Sequence, residues 1–67
     1  MQITLKAARV NAGFTQGEAA KRLGTNVQSL VDYEAGRTMP NVDMVKKMIE
    51  LYCVPFDCLN FYPEATI

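Results

Sequence analysis

Alternating helix stop and start signals constrain this chain most strongly. Gly13, Gly24 and Gly36 each follow a segment whose apolar residues recur at helical spacing, and glycine readily takes the left-handed conformation that ends a helix. Thr15 and Asn26 come soon after the first two glycines and can accept the free N–H groups of a new helix. No β pattern, repeat, linker or low-complexity segment competes with these signals. The sequence therefore predicts an all-α fold of short helices.

The signals predict five helices in a single domain over residues 1–67. The second helix starts where residues 15–18 form a capping box, in which the first and last side chains bond each other's backbone N–H groups. The first predicted helix spans about residues 3–12, the second starts at Gln16, and the third lies between the Asn26 cap and Gly36. The fourth follows the Asn41 cap, and the fifth is a short helix after Pro55 that contains Phe56 and Leu59.

The chain length of 67 residues, or 7.5 kDa, leaves room for one hydrophobic core, and 49% apolar residues can build it. The longest stretch without a charged residue, Leu23 to Val31, is far shorter than the roughly 20 residues of a membrane helix. Met1 to Val10 lack the apolar region and cleavage site of a signal peptide. We therefore expect a cytoplasmic protein with no membrane partner.

Seven basic and seven acidic residues give the chain a formal net charge of zero. Residues 1–37 carry five basic and three acidic residues (5 − 3 = +2), whereas residues 38–67 carry two and four (2 − 4 = −2). The overall balance does not by itself indicate nucleic-acid binding. An anionic partner is expected to meet the first half of the chain.

The sequence offers little for metal or covalent chemistry. It contains two cysteines, Cys53 and Cys58, and no histidine, so a zinc site would lack two of its four usual ligands. Both thiols are expected to be buried as small apolar groups without a disulfide. Ser29 or Cys58 as a nucleophile would lack its usual histidine base. We expect no metal, no cofactor, no evident small-molecule ligand and no enzymatic activity.

Three positions meet the strictest requirements of a helix-turn-helix, here about residues 15–35. Ala20 is small enough for two helices to cross closely. Gly24 permits positive φ in the turn, and Leu30 can anchor the second helix in the core beneath the first. Together these residues predict a tight turn between two packed helices.

With these residues the chain resembles the phage repressor and Cro-like (XRE-type) helix-turn-helix DNA-binding domains. The resemblance extends over nearly the whole chain. The residues that carry it are Leu5, Ala8, Arg9, Phe14, Thr15, Gln16, Glu18, Ala19, Ala20, Leu23, Gly24, Gln28, Ser29, Leu30, Tyr33, Glu34, Gly36, Arg37, Pro40 and the segment from Leu51 to Leu59. The resemblance implies a compact five-helix lambda-repressor-like domain, often a dimer, whose third helix lies in the major groove of double-stranded DNA and regulates transcription.

The resemblance also implies which residues contact DNA. Gln16 would contact a phosphate at the start of the second helix, and Arg37 and Thr38 would do so after the third. The first turn of the third helix would enter the groove with the side chains of Asn26, Val27, Gln28 and Ser29.

Gln28 is the leading base reader, because its amide can bond adenine bidentately, and Val27 can touch a thymine methyl group. Asp32, one turn further along, could accept a hydrogen bond from cytosine, could simply face solvent, or could exclude wrong sequences by repulsion. A plain solvent-exposed helix surface is the alternative for these positions and for Gln16.

Arg9 and Glu34 fall on faces that otherwise point inward, and similar proteins pair Arg with Glu at these places. We therefore expect a structural ion pair whose loss would unfold the domain. The alternative is two exposed, unpaired charges.

Large side chains gather at the C-terminus of the chain. Such groups can form a homodimer contact or simply cover the core, and the sequence leaves both alternatives open. The residues concerned are Leu59, Phe61, Tyr62, Pro63 and Ile67.

Met39 and Asn41 occupy a loop where many relatives carry Lys or Arg, and Ala35 replaces a common Asn. Fewer cations weaken the attraction to phosphates, so useful affinity is expected to need a dimer on two half-sites about 34 Å apart.

The leading hypothesis is a sequence-specific transcriptional regulator, a repressor that binds a palindromic operator as a homodimer. The alternative is a protein-interaction module on the same fold, such as an antitoxin-like or accessory domain. Loss of DNA affinity on Gln28→Ala would separate the two, because a protein-binding surface has no reason to centre on that residue.

Overall fold

The computed structural model of the chain describes residues 2–61, and four α-helices form most of that part. A three-residue 3-10 helix, Phe56–Cys58, follows the last of them. Two short strands flank the helices in sequence. In chain order the elements are β1 (Ile3–Thr4), α1 (Leu5–Asn11), α2 (Gln16–Leu23), α3 (Val27–Ala35), α4 (Val42–Tyr52), the 3-10 helix and β2 (Leu59–Asn60).

Every α-helix begins with a polar side chain that accepts a backbone N–H of the first turn. These bonds supply one of the partners that the first helical N–H groups lack within the helix. The capping residues are Thr4, Thr15, Asn26 and Asn41, at distances between 2.8 and 3.1 Å. The capping box predicted for α2 is complete, because the Thr15 N–H donates to Glu18 Oε1 at 3.0 Å. That backbone bond, then the Thr15 side chain, lowers the pKa of Glu18.

Every α-helix also ends in the same way. A residue at positive φ comes directly before the residue whose N–H donates the last hydrogen bond back to the helix. The positive-φ residues are Gly13, Gly24, Gly36 and Cys53. The N–H groups that follow them, those of Phe14, Thr25, Arg37 and Val54, donate to the carbonyls of Arg9, Ala20, Asp32 and Ile49 at 2.9 to 3.3 Å. This is the six-to-one bond of the Schellman motif, which satisfies a terminal carbonyl and turns the chain sharply.

The ends of the described chain differ from the five-helix prediction. Ile3 and Thr4 pair in parallel with Leu59 and Asn60, so the first helix starts at Leu5 instead of residue 3. The predicted fifth helix is a single 3-10 turn, and Leu59 belongs to β2. The expectation of no β structure is therefore wrong at these two positions, because pairing between distant residues leaves no local periodicity.

The core lies between the four helices and is closed by the strand pair. Leu5, Leu23, Leu30 and Met48 are its largest fully buried side chains. Ala20 is buried on α2, which packs against α3, and the sequence predicts a small residue at this position. No helix in the described part of the chain is long and apolar enough to cross a membrane.

The two cysteines differ from the sequence expectation. Cys53 is exposed at the left-handed end of α4, and Cys58 is only half-buried, so neither is a core residue. Both thiols are free. Among residues 2–61 no group of three or more Cys, Asp or Glu side chains is placed to hold a metal ion.

Candidate nucleic-acid interface

The first turn of α3 combines an exposed outer face with an anchored inner face. Leu30 is fully buried and fixes the rotation of the helix about its axis. Val27 remains 45% exposed, Gln28 is exposed and Ser29 is half-buried. Asn26 uses its Oδ1 to cap α3, so its Nδ2 is the group that can donate to another molecule. The four residues predicted to enter a groove therefore lie together on one turn.

A buried ion pair fixes α3 against the elements before it. Arg9 Nε lies 2.7 Å from Glu34 Oε2, and both side chains are less than one-tenth exposed. Arg9 Nη1 donates to the carbonyl of Phe14 at 2.8 Å, and Nη2 reaches Glu34 Oε1 at 3.5 Å. Arg9 therefore joins α1, the turn after α1, and α3 through one guanidinium group.

Gln16, a predicted phosphate contact, takes part in this network. Its Nε2 donates to Glu34 Oε1 at 3.2 Å, which links the start of α2 to α3. One Nε2 hydrogen and the Oε1 lone pairs are left for another partner. The half-buried Gln16 side chain is thus held in place by its hydrogen bond to Glu34, a member of the ion pair.

Tyr52 brings a polar atom into the same buried region. Its Oη is buried without a hydrogen-bond partner. The pKa of Tyr52 is raised to about 12, chiefly by burial and then by the negative charge of Glu34, while the positive charge of Arg9 opposes the change.

A second network of hydrogen bonds, which is exposed, runs along α3 from its first turn to the residue after Gly36. Gln28 Nε2 donates to Asp32 Oδ1 at 3.2 Å, and Arg37 Nη1 donates to the same oxygen at 3.2 Å. The Schellman bond from the Arg37 N–H to the Asp32 carbonyl brings Arg37 back beside α3. Thr38 follows as an exposed residue. Two predicted DNA contacts, Gln28 and Arg37, therefore meet at Asp32.

The structure places the described C-terminal side chains inside the molecule. Leu59 is 5% exposed and Phe61 is 7% exposed, and both belong to the core. This arrangement corresponds to the second of the two alternatives, in which these residues cover the core of their own chain. Tyr62, Pro63 and Ile67 lie outside the described residues.

Residues 5–57 match the protein-family model described as "Helix-turn-helix", which covers most of the chain and all four α-helices. The chain belongs to the XRE-type helix-turn-helix family. Over 55 residues it is 42% identical to the HTH-type transcriptional regulator ImmR of Bacillus subtilis (strain 168). The alignment covers 82% of this chain and 43% of ImmR, so the chain spans less than half of that relative. No solved structure gives a significant match.

The bonds to Asp32 are not among the contacts that the sequence or family membership predicts. Gln and Asp four residues apart on a helix are neighbours that can bond, so the spacing of Gln28 and Asp32 was a usable signal. The approach of Arg37 depends on the turn after α3, which places a residue beyond the helix back against its last turn.

Proposed function

We propose that the chain is a sequence-specific DNA-binding transcriptional regulator whose α3 reads the major groove of double-stranded DNA. The observation that carries this proposal is the exposed first turn of α3, fixed from behind by buried Leu30 and by the Arg9 to Glu34 ion pair. A rigid helix whose first turn projects from a helix-turn-helix fits the width of the groove. The name of the relative ImmR, a transcriptional regulator, agrees with this function.

The base-reading role belongs chiefly to Gln28. Its amide offers a donor and an acceptor to the edge of adenine, a contact worth about 1 to 3 kcal/mol of discrimination. Val27 would contact a thymine methyl group, while Asn26 Nδ2 and the Ser29 hydroxyl would donate to nearby acceptors.

Phosphate contacts flank this surface in the proposal. Gln16 at the start of α2 retains one amide hydrogen, and α2 is eight residues long with free N–H groups at that end. Arg37 and Thr38, both exposed after α3, supply a guanidinium and a hydroxyl. Such contacts set the register of the helix and carry little sequence information.

We propose further that the chain acts as a repressor on a palindromic operator, as a homodimer. One α3 turn reads only a few base pairs, and the loop after Thr38 has few cations, so one copy alone would bind weakly. Two copies on half-sites about 34 Å apart would add their contacts. A protein seated on a promoter excludes other proteins from that DNA, which is the simplest route to repression.

Selection of duplexes from a random library tests this proposal. We expect a palindromic motif for the unaltered chain and a motif relaxed at one position per half-site for Gln28→Ala. Gln2→Ala is the matched control, because Gln2 is an exposed glutamine that precedes β1. A motif without symmetry would overturn the dimer, and the absence of any motif would overturn sequence-specific binding.

A second candidate function, binding a protein partner, is favoured by one apolar groove. The groove has a volume of about 400 Å³ and includes Val42 and Phe56, which are 70% and 54% exposed. Its other lining residues are Met39, Pro40, Val45, Lys46 and Ile49. This function would be favoured if the folded chain selected no DNA and Val42→Asp abolished binding to a protein partner while Gln28→Ala did not.

A further inference from the structure

We propose that Asp32 is the positioning residue of the DNA-reading surface, an inference that rests on the function proposed above. One oxygen, Asp32 Oδ1, accepts from the Gln28 amide and from the Arg37 guanidinium at 3.2 Å each. Asp32 thereby couples the side chain that reads a base to the side chain that contacts a phosphate. It acts through these two residues and makes no base contact of its own.

The carboxylate determines which way the Gln28 amide faces. A carboxylate accepts hydrogen bonds and cannot donate them, so Nε2 must point toward Asp32 and Oε1 must point away. The second Nε2 hydrogen and Oε1 then form a donor and acceptor pair in a fixed order. Adenine presents the complementary acceptor and donor, N7 and N6, on its major-groove edge. A free glutamine would have to give up rotational freedom on binding to reach the same state.

Arg37 reduces the electrostatic repulsion between the Asp32 carboxylate and the DNA phosphates. An unpaired aspartate on α3 would repel the phosphates, whereas the Arg37 guanidinium at 3.2 Å offsets its charge. The Arg37 side chain is 65% exposed, so its remaining N–H groups can reach a phosphate. The Asp32 side chain is 27% exposed, and its Oδ1 is already shared between two donors.

The test compares binding constants for the selected duplex and for a duplex changed only at the base pair that Gln28→Ala relaxes. The variants are Asp32→Ala, Gln28→Ala and the two combined, at one fixed salt concentration. Glu50→Ala is the control, because it also removes one exposed negative charge but lies on α4. Alanine favours helix more than aspartate does, so Asp32→Ala should fold, and thermal unfolding checks this. If Asp32→Ala does not fold, Asp32→Ser is used in its place, because the serine side chain is too short to reach Gln28.

We expect Asp32→Ala to reduce discrimination at that base pair by about fivefold or more, close to the smallest effect of a bidentate contact. Adding Asp32→Ala to Gln28→Ala should change that discrimination no further, since both act through one amide. Glu50→Ala should leave discrimination unchanged.

Unchanged discrimination in Asp32→Ala would overturn the inference while leaving sequence-specific binding intact. Relaxation at a different, cytosine-containing base pair would also overturn it, because Asp32 would then contact a base directly. If the unaltered chain shows no sequence preference, the proposed function itself fails, and the inference fails with it.

Discussion

At the residue scale, one buried carboxylate organises three elements. Glu34 accepts from Arg9 on α1 and from Gln16 on α2, while it sits on α3 itself. Removing one partner of a buried ion pair leaves the other charge without compensation, which is more costly than replacing both with apolar groups.

We therefore expect Arg9→Ala to lower the free energy of unfolding by about 3 to 5 kcal/mol, a large part of the stability of a small domain. The double variant Arg9→Met with Glu34→Leu should recover much of that loss. Urea unfolding followed by circular dichroism measures both. A loss below about 1 kcal/mol for Arg9→Ala would show that the pair behaves like an exposed one.

Tyr52 provides a prediction with a pH signature. Its buried Oη has no partner, so Tyr52→Phe should raise the free energy of unfolding by about 1 kcal/mol at neutral pH. The pKa of Tyr52 is raised to about 12, whereas an unfolded tyrosine titrates near 10. Below about pH 10 the phenol is protonated in both the folded and the unfolded chain, so its effect on stability does not change with pH. As the pH rises from about 10 to about 12, the unfolded chain releases this proton while the folded chain retains it, so the free energy of unfolding falls.

The difference in unfolding free energy between Tyr52→Phe and the unaltered chain should consequently widen over that pH range. All other ionisable groups are the same in both proteins, so their contributions cancel in the difference. A difference that stays constant with pH would contradict the raised pKa.

At the element scale, the helix ends were the most predictable part of the fold. Thr15, Asn26 and Asn41 cap helices where the sequence places caps, and Gly24 and Gly36 end them. These signals are local, because a capping side chain bonds a backbone group three residues away. The strand pair depends on residues far apart in sequence and therefore has no local signal. Pro55 indicates where α4 must stop, but the left-handed residue that ends the helix is Cys53 in place of glycine, which no local pattern predicts.

Cys53 gives the element-scale prediction. It has a φ of 56°, a left-handed conformation that glycine adopts at much lower cost. Cys53→Gly should raise the free energy of unfolding by about 1 kcal/mol. Gly36→Ala, at the equivalent end of α3, should lower it by a similar amount. Thermal unfolding of both variants checks this. If Cys53→Gly were less stable than the unaltered chain, the left-handed conformation of Cys53 would not be costly, contrary to this account.

At the scale of the whole molecule, hydrogen bonds join the predicted DNA contacts to other parts of the chain. The sequence indicated Gln28 and Arg37 as separate contacts, because each could be identified by its place relative to a helix end. It did not indicate their meeting at Asp32, nor the bond from Gln16 to Glu34. The bonds made by Arg37 and Gln16 depend on how the helices pack and how the chain turns, which a pattern along one helix does not contain. The bond from Gln28 to Asp32 lies within α3 and follows from their spacing of four residues.

The low number of cations near α3 leads to a prediction about salt. Met39 is 49% exposed and follows Thr38, so Met39→Lys should add one phosphate contact. The plot of log affinity against log salt concentration should then steepen by about 0.9. Val10→Lys adds the same charge on α1, where Val10 is 55% exposed, and should leave the slope nearly unchanged. Equal steepening in both variants would indicate that net charge alone governs binding.

One NMR experiment tests most directly the proposal that the first turn of α3 reads DNA. The ¹⁵N-labelled chain is titrated with its selected duplex, and changes in the amide ¹H–¹⁵N signals are recorded. The largest shift changes are expected at residues 26–29 and 37–38, with small changes along α4. A scrambled duplex should produce weaker changes that disappear as salt is raised. Changes centred on α4 and the apolar groove, or equal changes with both duplexes, would contradict groove reading by α3.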